Sequence, residues 1–373
     1  MKPWVKELGI FFLLAAIANF IVWLPFFTKI IAPEGMARVL ANYDASNYMA
    51  VSRCFYNQDC LKTYPLNNPV IYYAAHFPLY PLTGRLVGYL PGLYYPGGLL
   101  AATLLATATA GFIFYRLLKD FGYGKKPFVL AGLFLLFPGR WLVTHSIPGP
   151  EPLFIAAILS SLYFFKKENY LAAGIFGAMA QLTKSPGALL FLAYGFYFLY
   201  KSKVEGENIF YYFKKAWPLI LMPLSLLGLF SVYHFSYNDF FAYFHSGDNI
   251  HLQALPFRVF DSTQPWVGTF WLEDVLWVYL IAGLAVWRLW EKRYVDLAIF
   301  AAIFFAATLF VSHRDVSRYC LPLLPFVLIA FEEFLTGKTF LKAFIIILPA
   351  VFLYAINFVA GNFAPIVNWE PFL

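Results

Sequence analysis

Charge is scarce in this sequence. Asp, Glu, Lys and Arg make up 13% of its 373 residues, where a soluble domain carries roughly 25%. Cysteine is scarcer still, and three residues exclude a disulfide framework. Cys54 and Cys60 share one loop and pair if that loop faces an oxidising space; otherwise they remain two thiols. Cys320 reads as a small apolar residue inside a helix. HExxH, Cys/His clusters, DxD, the P-loop and GxGxxG are all missing, and only Glu273-Asp274 and Glu332-Glu333 are adjacent carboxylates. No metal and no nucleotide cofactor is expected.

What fills the sequence instead is apolar, 61% of it, with 21% aromatic. Runs of near-spanning length lie at 8–30, 96–117, 127–144, 151–165, 170–183, 187–201, 217–236, 271–290, 295–311, 318–335 and 339–360. At about 20 residues per crossing, they predict an all-α, polytopic transmembrane protein of about 11 helices, forming a single domain over residues 1–373. The first run is too long for a signal peptide and ends in aromatics, so it reads as a retained helix. Every short loop on the N-terminal side carries Lys or Arg, which places the N-terminus in the cytoplasm. The net charge of +7 is then a topology signal and gives no support to nucleic-acid binding.

Two long segments fall on the opposite, non-cytoplasmic face. Residues 32–95 are rich in Tyr, Pro and Phe and read as amphipathic helices in the membrane interface. Residues 237–270 alternate aromatics with Asp239, His245, Asp248, His251, Arg258 and Asp261. Asp44, in ANYDASNYMAVSR just after the first apolar run, would face that side too. So would GRWLVTHSIPGPEP at 139–152, TKSPG at 183–187 and SHRDVSRY at 312–319. Charged residues at such helix ends usually face a cavity or a partner. His313, Arg314 and Arg318 suit a phosphate, and Lys184 adds a mobile point charge. Each also has a plainer reading. Arg and Lys snorkel to headgroups, His76 and His145 fit as structural histidines, Glu151 suits a helix N-terminus, and Asp44 suits a cap.

Taken in order, these pieces resemble the GT-C superfamily of membrane glycosyltransferases, and within it the PIG-V-type mannosyltransferases. The family's Trp-Asp-x-x-x-Tyr element is matched by Tyr43-Asp44-Ala45-Ser46-Asn47-Tyr48, with Tyr in place of Trp. Its Phe-Phe-Pro-Leu-Tyr-Pro stretch is matched by His76-Phe77-Pro78-Leu79-Tyr80-Pro81. Pro150-Glu151-Pro152 stands where the family has a hydroxyl residue before Glu. Leu182-Thr183-Lys184-Ser185-Pro186-Gly187 stands for Leu-Thr-Arg-x-x-Gly, and Val316-Ser317-Arg318-Tyr319 for Ser-x-x-Arg-Tyr.

The resemblance implies an enzyme that moves a sugar, mannose by family habit, from a polyprenyl-phosphate donor. The acceptor would be a hydroxyl of a glycan, glycolipid or protein on the non-cytoplasmic side. Asp44 would be the general base of an inverting single displacement. Tyr48, Arg53, His76, Tyr80, Glu151, Lys184, His313, Arg314 and Arg318 would bind substrate, the cations stabilising the departing phosphate. The lipid-linked sugar is substrate, and no cofactor or metal is implied. Membrane lipid is the surrounding partner, in the plasma membrane of a prokaryote or the ER membrane of a eukaryote. Rival readings are a transporter or flippase of lipid-linked sugars and a non-catalytic subunit of a transferase.

Overall fold

The computed structural model describes residues 3–91, 93–247, 251–267 and 272–372. The fold is all-α among these residues, as the long apolar runs predict. Isolated bridges, Asn42 with Phe363 and Leu252 with Val311, are the only strand-like pairings described. Asp248 and residues 249, 250 and 268–271, parts of the second long segment and of the run beginning at 271, lie outside the described residues.

The number of crossings needs correction. Among the described residues four helices are long and apolar enough to span a membrane: Pro3–Phe27, Tyr95–Phe121, Trp217–Tyr237 and Lys338–Gly361. A fifth is reached only if Pro127–Leu136 and Gly139–His145, bent by 73°, count as one span. The other runs are broken or short. Pro138, which lacks an N–H and clashes with a preceding helical turn, interrupts the 127–144 run. Tyr170–Thr183 has 14 residues and Val295–Leu309 has 15, lengths of roughly 21–23 Å against roughly 30 Å of hydrocarbon. The 318–335 run divides into Val316–Tyr319, Leu321–Leu323, Leu324–Ala330 and Glu332–Leu335. Ala188–Glu205 and Glu273–Glu291 are longer but end in charged turns. The polytopic fold of about 11 helices is therefore withdrawn. The cytoplasmic N-terminus and the plasma-membrane or ER placement depended on that count and go with it.

The 32–95 segment is corrected as well. Ala45–Cys54 is buried at every position except Arg53, so it has no face to lay on a membrane surface. Tyr48, Tyr73, Phe77 and Tyr80 are buried with Tyr56 and Tyr233 in one cluster, not held out as interface anchors. Cys54 and Cys60 form a disulfide with a Cα–Cα distance of 5.4 Å, tying the end of Ala45–Cys54 to Gln58–Leu61. Closing so short a loop restrains the unfolded chain, so replacing both cysteines by serine should cost about 2 kcal/mol. Urea unfolding with and without reductant checks this, since the double variant should lose its response to reductant.

The main core lies around two neighbouring helices. Tyr95–Phe121 carries Pro96 in its first turn and stops at Gly122, whose φ of 69° supplies the left-handed cap. Glu151–Lys166 packs between it and Tyr170–Thr183 through Phe154, Ile155, Ile158 and Leu162. A separate cluster joins the first and last long helices through Ala18, Val22, Val351 and Ala355. This packing brings several chain ends together. The start of Ala45–Cys54, the start of Glu151–Lys166, the end of Tyr170–Thr183 and the turn Val316–Tyr319 surround one cavity.

Candidate functional site

The cavity measures about 780 Å³. Four carboxylates (Asp44, Glu151, Asp274, Asp315) and four cations (Arg140, Lys184, Arg314, Arg318) line it. Tyrosines and His76, His251 and His313 form much of the remaining wall.

Glu151 is its deepest charge, 4% exposed. Pro148 and Pro150 end the preceding turn, and Pro152 sits within the first turn of the helix that Glu151 opens. Its Oε1 accepts from Lys184 Nζ at 2.8 Å and from Arg318 Nε at 2.9 Å, with Arg318 Nη2 also at 2.8 Å. Burial alone would raise the carboxyl's pKa, but Arg318 and Lys184 reverse the effect and hold it at about 2. Burial likewise favours neutral Arg318, yet Glu151 and then Asp44 keep it charged, its pKa well above the ordinary value.

A second cluster stands beside the first. Arg140 Nε lies 3.1 Å from Asp315 Oδ1, and Arg140 Nη1 donates to Tyr43 Oη at 3.0 Å. Tyr43 Oη in turn donates to Asp315 Oδ2 at 2.9 Å. The Arg318 guanidinium covers the Tyr43 ring at 4.1 Å, so Tyr43 meets Arg318 through its ring and Arg140 through its hydroxyl. Tyr43 has a φ of 47°, in the region L-residues rarely adopt, and this places the ring there while the chain turns into Ala45–Cys54.

Asp44 occupies the position before that helix without capping it, for its side chain makes no cap hydrogen bond. The carboxylate is 42% exposed and its Oδ2 lies 3.9 Å from Arg318 Nη2. This is a loose contact that leaves it open to a ligand. Arg314 is exposed at the cavity wall, and among the described residues its guanidinium forms no ion pair or hydrogen bond. His313 accepts from the backbone N–H of Asp315 at 3.0 Å and packs on His251, ring centroids 4.5 Å apart. Burial and then His251 push the pKa of His313 down to about 4, so its ring is neutral at ordinary pH. Burial lowers His76 as well, and Tyr48 packs edge-on against it at 4.9 Å.

Of the residues singled out in the sequence, Asp44, Tyr48, His76, Glu151, Lys184, His313, Arg314 and Arg318 all line this cavity. Tyr80 and Arg53 do not. Tyr80 is fully buried, its hydroxyl bonded to Leu99 O at 3.1 Å and to Thr103 Oγ1 at 2.9 Å. Arg53 reaches the carbonyl of Pro371 at 3.0 Å near the protein surface. Sequence reasoning missed Arg140 and Asp315. Both sat in motifs already marked, and Arg140 is a charge that follows directly on the break at Pro138.

Chemically the site offers an open carboxylate opposite fixed guanidinium groups. Such a set can accept a hydroxyl proton or hydrogen bond while negative charge is held nearby. Among the described residues, no three His, Cys, Asp or Glu side chains gather as a metal site would require.

A GT-C enzyme works in a stack of membrane crossings, and the four helices among the described residues, or five with the bent pair, do not build one of about 11. Within 32–95, the helix Ala45–Cys54 that carries Tyr48 is packed inside the protein and does not lie at an interface. Mannosyl transfer, the hexosyltransferase activity, and the polyprenyl-phosphate donor, acceptor glycan and membrane-lipid partners are accordingly withdrawn. No protein-family model and no curated protein matches the chain, and the GT-C assignment falls with the count of crossings.

Proposed function

We propose that the cavity binds a small anionic ligand that also carries a hydroxyl group. Arg314 holds the anionic group, and Asp44 accepts a hydrogen bond from the hydroxyl. The observation behind this reading is a difference between the cations. Arg140, Lys184 and Arg318 each face a carboxylate within 3.1 Å, whereas the exposed Arg314 guanidinium has no such partner among the described residues. An uncommitted guanidinium offers a planar fork of donors matched to phosphate or carboxylate oxygens. Asp44 is the most loosely held of the paired carboxylates here, and Tyr48 and Tyr72 stand at the same wall to pack on the ligand's carbon atoms.

Titration of the purified, detergent-solubilised protein with inorganic phosphate and with glycerol 3-phosphate tests the reading. Glycerol 3-phosphate should bind more tightly because it brings hydroxyl groups. Arg314→Gln should weaken both by about tenfold or more, the worth of a charge-assisted hydrogen bond. Asp44→Ala, which removes the acceptor oxygens, should remove the advantage of glycerol 3-phosphate and leave phosphate bound. Unchanged affinity in Arg314→Gln would overturn the proposal.

A further inference from the structure

Glu151 has a place in this site beyond that of one more lining residue. A single oxygen, Oε1, meets three donor atoms from two cations: Lys184 Nζ, Arg318 Nε and Arg318 Nη2. The next carboxylate, Asp44, is 3.9 Å from Arg318. Gly149 stands against the other oxygen, for a Cβ built on it would lie 2.9 Å from Glu151 Oε2. With its pKa at about 2, the group is ionised throughout the ordinary pH range.

Resting on the anion-binding reading, we infer that Glu151 is a positioning residue that decides which cation the ligand meets. By holding Lys184 and Arg318 compensated, it directs the anionic group to Arg314. The cavity as a whole is balanced, four carboxylates against four cations. Removing the Glu151 charge leaves one positive charge in excess, and it falls on the deep pair, where low polarity strengthens its pull on an anion.

Glu151→Gln keeps the shape and an acceptor oxygen but not the charge. It should bind inorganic phosphate about tenfold more tightly than wild type, with a steeper loss of affinity as salt rises. In Glu151→Gln combined with Arg314→Gln, phosphate should still bind, because the deep pair now holds it. Glu151→Gln combined with Lys184→Met restores the charge balance and should return both the wild-type affinity and the dependence on Arg314. A residue that only supported the fold would instead lower the melting temperature and leave the salt slope alone.

The outcomes separate cleanly. If wild type binds phosphate and a folded Glu151→Gln protein binds it no better, this inference fails and the anion-binding reading stands. If neither protein binds phosphate, both fail together. Should Glu151→Gln not fold, the charge-balanced Lys184→Met double variant decides, and loss of its dependence on Arg314 overturns the inference.

Discussion

Arg318→Met should destabilise the protein by about 3–5 kcal/mol, the usual result of leaving half of a buried ion pair behind. Met keeps most of the apolar stem, so the loss is one of charge. Glu151 would keep only Lys184, and Tyr43 would lose the guanidinium 4.1 Å from its ring. The acid limb of the stability curve should change with it. Glu151 has a folded pKa of about 2 against an ordinary 4.5, a lowered value. Its contribution is therefore present above about pH 4.5 and lost as pH falls toward 2, about 3 kcal/mol in wild type. In Arg318→Met the folded pKa rises toward the ordinary one, so less stability remains to be lost in that window. Urea unfolding of both proteins between pH 7 and pH 3 gives both quantities. Equal midpoints at pH 7, or parallel losses in acid, would show that the Glu151–Arg318 pair does not hold this end of the bundle.

The same pair shows what the sequence made legible and what it hid. Glu151, Lys184 and Arg318 stand out as charges bordering apolar runs, and Asp44 stands out for the same reason. Polar groups of that kind are costly to bury alone, so their rarity marks them. Arg140 and Asp315 carry the same signal, but they meet each other directly and again through the Tyr43 hydroxyl, and no spacing along the chain reveals that Tyr43 and Asp315 touch across 272 residues. Helix type was readable from the apolar runs, whereas helix length was not. Composition joins short helices across a break. The 127–144 run looks continuous, yet it bends at Pro138, and the 318–335 run passes through four separate short elements. Burial was hidden for a related reason. The aromatic 32–95 segment has the composition of an interfacial surface, but Tyr56, Tyr73 and Tyr80 turn inward, where Tyr56 and Tyr80 hydroxyls bond to main-chain carbonyls.

Gly187 tests how rigidly the fold aims Lys184. It ends the three-residue turn Ser185–Gly187 that links Tyr170–Thr183 to Ala188–Glu205. Its φ of −56° suits any residue, so backbone freedom is not what requires glycine there. Space is. A Cβ at this position would stand 2.5 Å from both the N and Cα of Gln181 and 2.8 Å from the carbonyl carbon of Ala180, all main-chain atoms within the adjoining helix. Flexible side chains can move aside at small cost, but this backbone cannot. Gly187→Ala should therefore cost about 3 kcal/mol, at the upper end for overpacking. The turn that shifts to admit the methyl group also carries Lys184, whose carbonyl accepts from Gly187 N–H at 3.0 Å. Lys184 should then draw away from Glu151, and the acid-dependent part of the stability should shrink as well. Gly195 lies in the helix that follows, with nothing within 4 Å of a built Cβ. Gly195→Ala should stabilise by about 0.5–1 kcal/mol, since alanine favours a helix interior over glycine. Opposite shifts of the urea midpoint are thus expected from the same chemical change eight positions apart. A Gly187→Ala protein as stable as wild type would mean that the turn yields freely, and with it the claim that packing fixes the Lys184–Glu151 contact would be lost.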